Sequence, residues 1–592
     1  MKSRMSCFNT AILKRTLFRG LPVWGAYLLC WLIALPVVLL SNGEYQEVVY
    51  LKEYILQTAA GTCNVVNFVY GLAVACVVSA YLYKSRSANF FGALPLRREG
   101  MFLTQLVGGL CFSILPNVII VIATLLAGAY WGGNMLSECV IWFAAQSLGF
   151  LFYYGFAMLV AMIVGNLIAL PLIYGVLNFT AVVVEAIIRE LLDIFVAGAW
   201  FTSDFLFDRA SPLFYVLSSG EGPRVRSNWV EEKFVSATFY NWKMLLIYAA
   251  VGIACILIAF WIHKKRRMES AGDVIAVRHL KPVFLYCFTI GCSLCIGYFL
   301  ASIVLSGIGR NGFVTVLICM LVGAFLGYFA GQMMLHRSVR VFRKQYFVNY
   351  GVTALVIVAV LLCVRFDLFG YSRYLPDADD VQAVSIGYNY EVQDLSEDRE
   401  LIEKTIDFHK VVMQTDEWEQ DDWHQGSWGY RSTYLTYRMK DGRMVRRSYD
   451  VPLSPELSED PNSPIRLYEA LFNDPDYKIV RELGTDYTAA DIEYCSIHND
   501  SGDEVYLTNT EAYEFLKTCI EPDLRETTLG WNDYTNRDVG SEHVPVYLNL
   551  QFKDPAEKTL PGNVRVAEYV FMSATKDARR FLDFAAQKGI EP

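Results

Sequence analysis

Along residues 1–370 the chain repeats one pattern: an apolar run of about twenty residues, a short polar or basic break, then another run. Leu21–Leu40 holds twenty residues without a charge. A hydrocarbon core about 30 Å thick needs about 20 helical residues to cross it. The pattern predicts about nine spans, at 21–40, 62–83, 103–127, 140–164, 167–187, 243–262, 282–305, 312–333 and 347–364, with only Gly165-Asn166 between the fourth and fifth. Residues 371–592 carry no such run. The expected fold class is a polytopic α-helical membrane protein with a C-terminal soluble α+β domain.

Inside the tail the periodicity shortens. Val381, Val384 and Ile386 with Tyr388 and Tyr390 follow a strand period. Glu397–Met413 reads as a helix with Ser396 as N-cap. The stretch Thr415–Trp428 reads as a loop. Ser432–Met439, the turn Lys440-Asp441-Gly442, and Arg443–Leu453 form the clearest local signal, a β-hairpin closed by Asp-Gly. Ile465–Phe472 and Thr510–Cys519 read as helices, Val544–Leu550 as a strand, and Ala567–Lys588 as containing a final helix. In the long loop 188–242, Ile187–Ile194 and Phe201–Phe207 are apolar enough for short interfacial helices.

Charge separates the two regions further. The net charge of −9 hides two bodies of opposite sign. Residues 371–592 hold 44 acidic and 23 basic residues, and the remainder holds 16 and 28. An acidic tail excludes nucleic acid as its partner. Basic residues cluster in the N-terminal segment (Lys14, Arg15, Arg19), after the second span (Lys84, Arg86, Arg97, Arg98), after the sixth (His263–Lys281) and after the eighth (Arg337, Arg340, Arg343, Lys344). With nine spans all four fall on one side. The positive-inside rule then places the N-terminus in the cytosol and residues 371–592 outside. The first apolar run has no clean small-residue cleavage site behind it and reads as a retained helix.

Candidate chemistry is sparse. There is no G-x-x-x-x-G-K-[ST] and no H-E-x-x-H, and the seven histidines make no metal-ligand spacing, so the chain reads as no enzyme, with neither metal nor cofactor of its own. The spans hold almost no charge; Asn117, Gln146, Asn178 and Gln332 are polar but neutral. Glu185, Arg189 and Glu190 end the fifth span, where they either line an outer mouth or form local interfacial ion pairs. Cys495 and Cys519, the two cysteines of the tail, are either a disulfide or two buried thiols. The second loop places Asn89, Phe90, Phe91, Leu94 and Pro95 beside Arg97 and Arg98. An apolar wedge ringed by cations suits a docking element on a partner, or equally a helix resting on lipid headgroups.

At this loop the chain resembles permease subunits of the ABC-2 type. The likeness runs through Lys14–Arg19, Ser87–Glu99, Arg266–Pro282 and the order of spans to Lys344, with Tyr434–Leu453 matching a long bacterial form. The resemblance implies a partner ATPase subunit that binds ATP, with Asn89 to Arg98 as the cytoplasmic coupling element, in a bacterial plasma membrane. A second permease copy or paralogue is a further expected partner beside the lipid bilayer. The implied plan is a six-span core in 1–265, a linker and three further spans in 266–370, and an extracytoplasmic domain in 371–592. The last two depart from the family's six-span pattern. The expected function is the membrane-spanning subunit of an ATP-driven exporter. The alternative is a membrane-anchored sensor or envelope assembly protein whose tail binds the ligand.

Overall fold

The computed structural model describes residues 9–42, 48–92, 97–201, 207–218, 224–230, 233–266, 270–305, 312–368, 370–387, 395–414, 430–452, 459–484, 487–530, 543–552 and 569–590. Among them nine helices are long and apolar enough to cross a membrane: Leu21–Ser41, Val48–Leu82, Arg98–Tyr130, Leu136–Ile163, Ala169–Phe195, Trp242–Lys265, Leu280–Val304, Phe313–His336 and Lys344–Arg365, called spans 1 to 9 below. The protein is a multi-pass membrane protein. Span 2 begins fourteen residues earlier than the hydropathy reading placed it. Lys52 and Glu53 look like loop residues in the sequence. In the structure Leu51, Ile55 and Leu56 are buried, and Lys52 pairs with Glu138 of span 4 at 3.7 Å.

The chain divides into two compact units, one of Met1–Ile188, Asp204–Leu300 and Ile318–Leu355, the other of Arg189–Ser203, Ala301–Leu317 and Val356–Pro592. The first unit is built around span 4, the most enclosed helix, with 67% of its apolar window buried against 6% for span 9. Glycine permits this packing. A Cβ on Gly155 would fall on the Gly252 carbonyl of span 6, and one on Gly71 of span 2 would lie 2.9 Å from the Tyr154 backbone nitrogen. Close backbone approach between small residues is how helices gain contact in lipid, where burial itself gives no drive. The main apolar cluster draws on residues from spans 1 to 6. A smaller one joins Leu285, Tyr328, Phe329 and Val341 of the later spans and their connection.

The loop between spans 5 and 6 differs from expectation. Ile187–Ile194 is the continuation of span 5, and 202–206 lie outside the described residues. Further on, Arg224–Val230 (β1) and Lys233–Tyr240 (β2) form an antiparallel hairpin that the sequence reading missed.

In the second unit two antiparallel sheets each cover one core. Val381–Gly387 (β3), Tyr430–Met439 (β4) and Met444–Pro452 (β5) form one sheet in that order. The Asp-Gly hairpin is therefore as expected, with Leu435, Tyr437 and Met439 inward. Tyr388, Tyr390 and Thr415–Trp428 lie outside the described residues. The following helix is Arg399–Gln414. Asp398, not Ser396, caps it, because Ser396 is taken up by a backbone bridge to Val384. The second sheet has the order β7-β6-β8-β9, with Ile492–Asn499 (β6), Glu504–Tyr506 (β7), His543–Phe552 (β8) and Tyr569–Thr575 (β9). The helix Arg579–Gln587 follows. Helix Pro475–Leu483 serves both cores, since Tyr477 enters the first and Ile479 and Leu483 the second.

The disulfide alternative is corrected. Cys495 and Cys519 are both free. Cys495 points from β6 into the core, where burial pushes its thiol up to about 12, and Cys519 is half-buried on a helix beside Thr518.

Candidate functional site

The site forms where the ends of spans 2, 3, 4 and 6 meet. Span 2 ends in a tight turn, and the short helix Ser85–Gly92 follows. Phe91 packs edge-on to Tyr81 (5.3 Å) and to Phe90 (5.5 Å), while Phe90 is 56% exposed and Asn89 is exposed. Leu94 and Pro95 lie outside the described residues. Arg97 is extended and exposed just before span 3, and Arg98 opens that span.

Arg98 reaches across the helices, its Nη1 donating to the Arg266 carbonyl at 3.2 Å. The next residue, Glu99, pairs with Lys264 at 2.6 Å. Arg266 itself turns inward and is buried. Its Nη1 donates to the carbonyls of Ala161 (2.9 Å) and Met162 (3.1 Å), the free acceptors at the C-terminal end of span 4. A cation there also opposes the negative end of the helix dipole. Tyr83, after span 2, donates to the same Ala161 carbonyl at 3.1 Å. One carbonyl thus ties span 2 to span 6 through span 4.

A second junction lies beside it. Between spans 4 and 5 the backbone at 163–165 pairs with the loop after span 6: Gly165 N donates to Val274 O (3.3 Å), Gly272 N to Gly165 O (2.6 Å) and Ala276 N to Ile163 O (2.8 Å). Residue 165 must be glycine for this, since a Cβ would stand 2.5 Å from the carbonyls of Ser270 and Asp273. Asp273 then accepts from Lys281 and from Arg337, each at 3.0 Å. Exposed ion pairs of this kind contribute little stability each. Their effect is positional, because one carboxylate ties the start of span 7 to the end of span 8.

The structure therefore brings Arg98 into a junction and leaves Asn89, Phe90 and Arg97 facing outward. Arg266, Tyr83 and Asp273 were not singled out from sequence. Arg266 is one cation in the run His263–Arg267, and nothing in that run says which one turns inward.

The other sequence candidates lie apart. Glu185 is buried and accepts the backbone N–H of Phe207 at 2.8 Å, so it holds the backbone of the loop between spans 5 and 6. Glu190 is exposed, and Arg189 sits over the Phe201 ring at 5.5 Å. In the spans Tyr27, Asn67, Asn117 and Gln146 form one buried network: Tyr27 donates to Asn117 (2.7 Å), and Gln146 Nε2 to Tyr27 (2.5 Å) and Asn67 (3.0 Å). Among the described residues no group of three His, Cys, Asp or Glu is placed to hold a metal ion.

Comparison with family models, with curated proteins and with solved structures finds no match to this chain. The geometry stands on its own terms: a multi-pass helical membrane protein, with nine apolar spans among the described residues and a sheet-bearing C-terminal domain, whose spans 2, 3, 4 and 6 are joined at one end by Tyr83, Arg98 and Arg266.

Proposed function

We propose that the chain is the membrane-spanning subunit of an ABC-type exporter, driven by ATP hydrolysis on a separate subunit. In this reading the basic loops face the cytosol and residues 371–592 lie outside the cell. The observation that carries it is the helix Ser85–Gly92, whose C-terminal end is held by Phe91 on Tyr81 of span 2 and offers Phe90 outward. It leads through Arg97 to Arg98 and so to the junction with Arg266. A push on that helix is passed to the ends of spans 2, 3, 4 and 6 together. The sequence resemblance supplies the class of partner, and the lack of a P-loop in this chain agrees with ATP being bound elsewhere.

Copurification from native membranes tests the reading. The wild-type chain should bring down a P-loop ATPase. Phe90→Ala with Arg97→Ala should cut its recovery at least roughly ten-fold, since aromatic and arginine anchors dominate interfaces. Both side chains are exposed, so yield and monodispersity should hold. A wild-type chain that recovers no ATPase ends this reading. Retained activity in the double variant, lost instead on removing 371–592, favours the sensor or assembly alternative.

A further inference from the structure

The connection between spans 8 and 9 has only seven residues, 337–343. A chain that short, going out and back, extends at most roughly 12 Å from the helix ends. Val341, 1% exposed, shortens it further by plugging into the cluster of Leu285, Tyr328 and Phe329. The connection is therefore held at the level of the bilayer surface.

Its charges are unevenly matched. Arg337 is paired with Asp273. Arg340, Arg343 and Lys344 are exposed, and no carboxylate among the described residues pairs with them. Apolar side chains flank these cations. Val339 is 73% exposed, Phe342 57% and Phe347 45%, with Phe342 stacked on Phe329 at 5.0 Å. Span 9, which starts at Lys344, needs an outside hold more than any other span, because only 6% of its apolar window is buried in the protein. Its polar ties near this end include Tyr346 to His336 (3.2 Å), Tyr350 to the Leu321 carbonyl (2.9 Å) and Asn349 to Tyr328.

We propose that Arg340, Arg343 and Lys344 form a docking surface for the headgroups of anionic phospholipids, with Phe342 and Phe347 seated among the upper acyl chains. Charge complementarity selects the occupant. Three fixed, uncompensated cations at headgroup depth are matched by lipid phosphates, and aromatic rings beside them suit the interface. The short, tethered connection favours lipid over a soluble protein. The anchor fixes the start of the one span that the protein itself barely encloses. This inference is independent of the ATPase reading.

The test uses the full-length chain in nanodiscs of phosphatidylcholine with phosphatidylglycerol, with retained lipids counted by native mass spectrometry. The wild-type chain should retain phosphatidylglycerol over phosphatidylcholine. Each cation near an anionic surface is worth roughly a five-fold preference. Arg340→Ala/Arg343→Ala/Lys344→Ala should therefore lower the preference at least about ten-fold. Arg340→Lys/Arg343→Lys, which keeps the charges, should keep most of it. Circular dichroism and monodispersity confirm that the triple variant is folded. A wild-type chain without lipid preference, or a triple variant that keeps it, overturns the proposal.

Discussion

The membrane bundle and the C-terminal unit bury polar groups in opposite ways. In the bundle the buried side chains at the centre are neutral and serve one another: Tyr27, Asn67, Asn117 and Gln146 share their hydrogen bonds. In the C-terminal unit titratable groups go inside. His409 lies between the Tyr437 and Tyr449 hydroxyls at 3.1 and 2.9 Å, with burial holding it down to about 3. Lys478 donates to the carbonyls of Thr527 and Leu529, and burial brings it down to about 8. The difference follows from what pays for folding in each place. Water drives apolar burial in the C-terminal unit, so a few costly groups are carried by large cores. Lipid gives no such drive, so the bundle relies on close backbones and on mutually satisfied neutral groups.

The sharpest way to break this contrast is at the helix crossing. Gly155→Val would place side-chain carbons on the Gly252 backbone of span 6, which is not free to swing aside. Spans 4 and 6 would have to separate along their contact. The expected cost is more than about 3 kcal/mol, beyond ordinary overpacking, and is read as loss of monodisperse protein after extraction. The same change at Gly175, with no atom within 4 Å of its Cβ position, should be tolerated.

What was legible in the sequence follows the same division. A span announces itself through twenty apolar residues, and all nine were found. Two boundaries were misplaced: the start of span 2, where Lys52 is carried inside a helix by a partner 86 residues away, and the end of span 5, which runs on through Ile187–Ile194 to Phe195. The hairpin Tyr430–Pro452 was legible because Asp441-Gly442 closes an alternating pattern. Strand β6 was not. Its bulge between Ile492 and Tyr494 breaks the alternation, and Ser496 is buried where a polar residue suggests solvent. Strand β9 went unread inside Ala567–Lys588, a stretch whose only expected element is the final helix, although Val570, Met572 and Ala574 alternate inward. At the candidate site, Arg97 and Arg98 were legible as basic flanks. The roles of Arg266 and Asp273 were not, because each acts on backbone or side chains supplied by distant segments.

The buried imidazole gives the next largest effect. His409 has an ordinary value of 6.5 in the unfolded chain and about 3 when folded. Between those values the unfolded state binds the extra proton, so stability rises with pH and is lost as pH falls from 6.5 toward 3. The charged groups around it reinforce the sign, since Arg447 lies close and opposes a second positive charge. Between pH 6.5 and about 5 the loss should reach about 2 kcal/mol, before most carboxylates titrate. His409→Gln should be less stable at pH 7 yet flatter over that window, measured as the denaturant midpoint of the C-terminal unit's transition. An equal slope in wild type and variant would assign the acid sensitivity to other groups.

The smallest effect is expected where the bundle looks most polar. Gln146 holds two partners, but neither depends on it alone. Tyr27 keeps Asn117 as acceptor when the Gln146 amide is gone, and Asn67 keeps the residue-146 backbone carbonyl at 3.2 Å. Gln146→Leu fills a similar volume and leaves few groups stranded, so it should cost only about 1 kcal/mol. Asn117→Leu should cost more, because it removes the acceptor toward which the Tyr27 hydroxyl points. Thermal unfolding of both variants in the same lipid ranks them. The reverse ranking would mean that Gln146, not the Tyr27–Asn117 pair, carries the larger share of the network's stability.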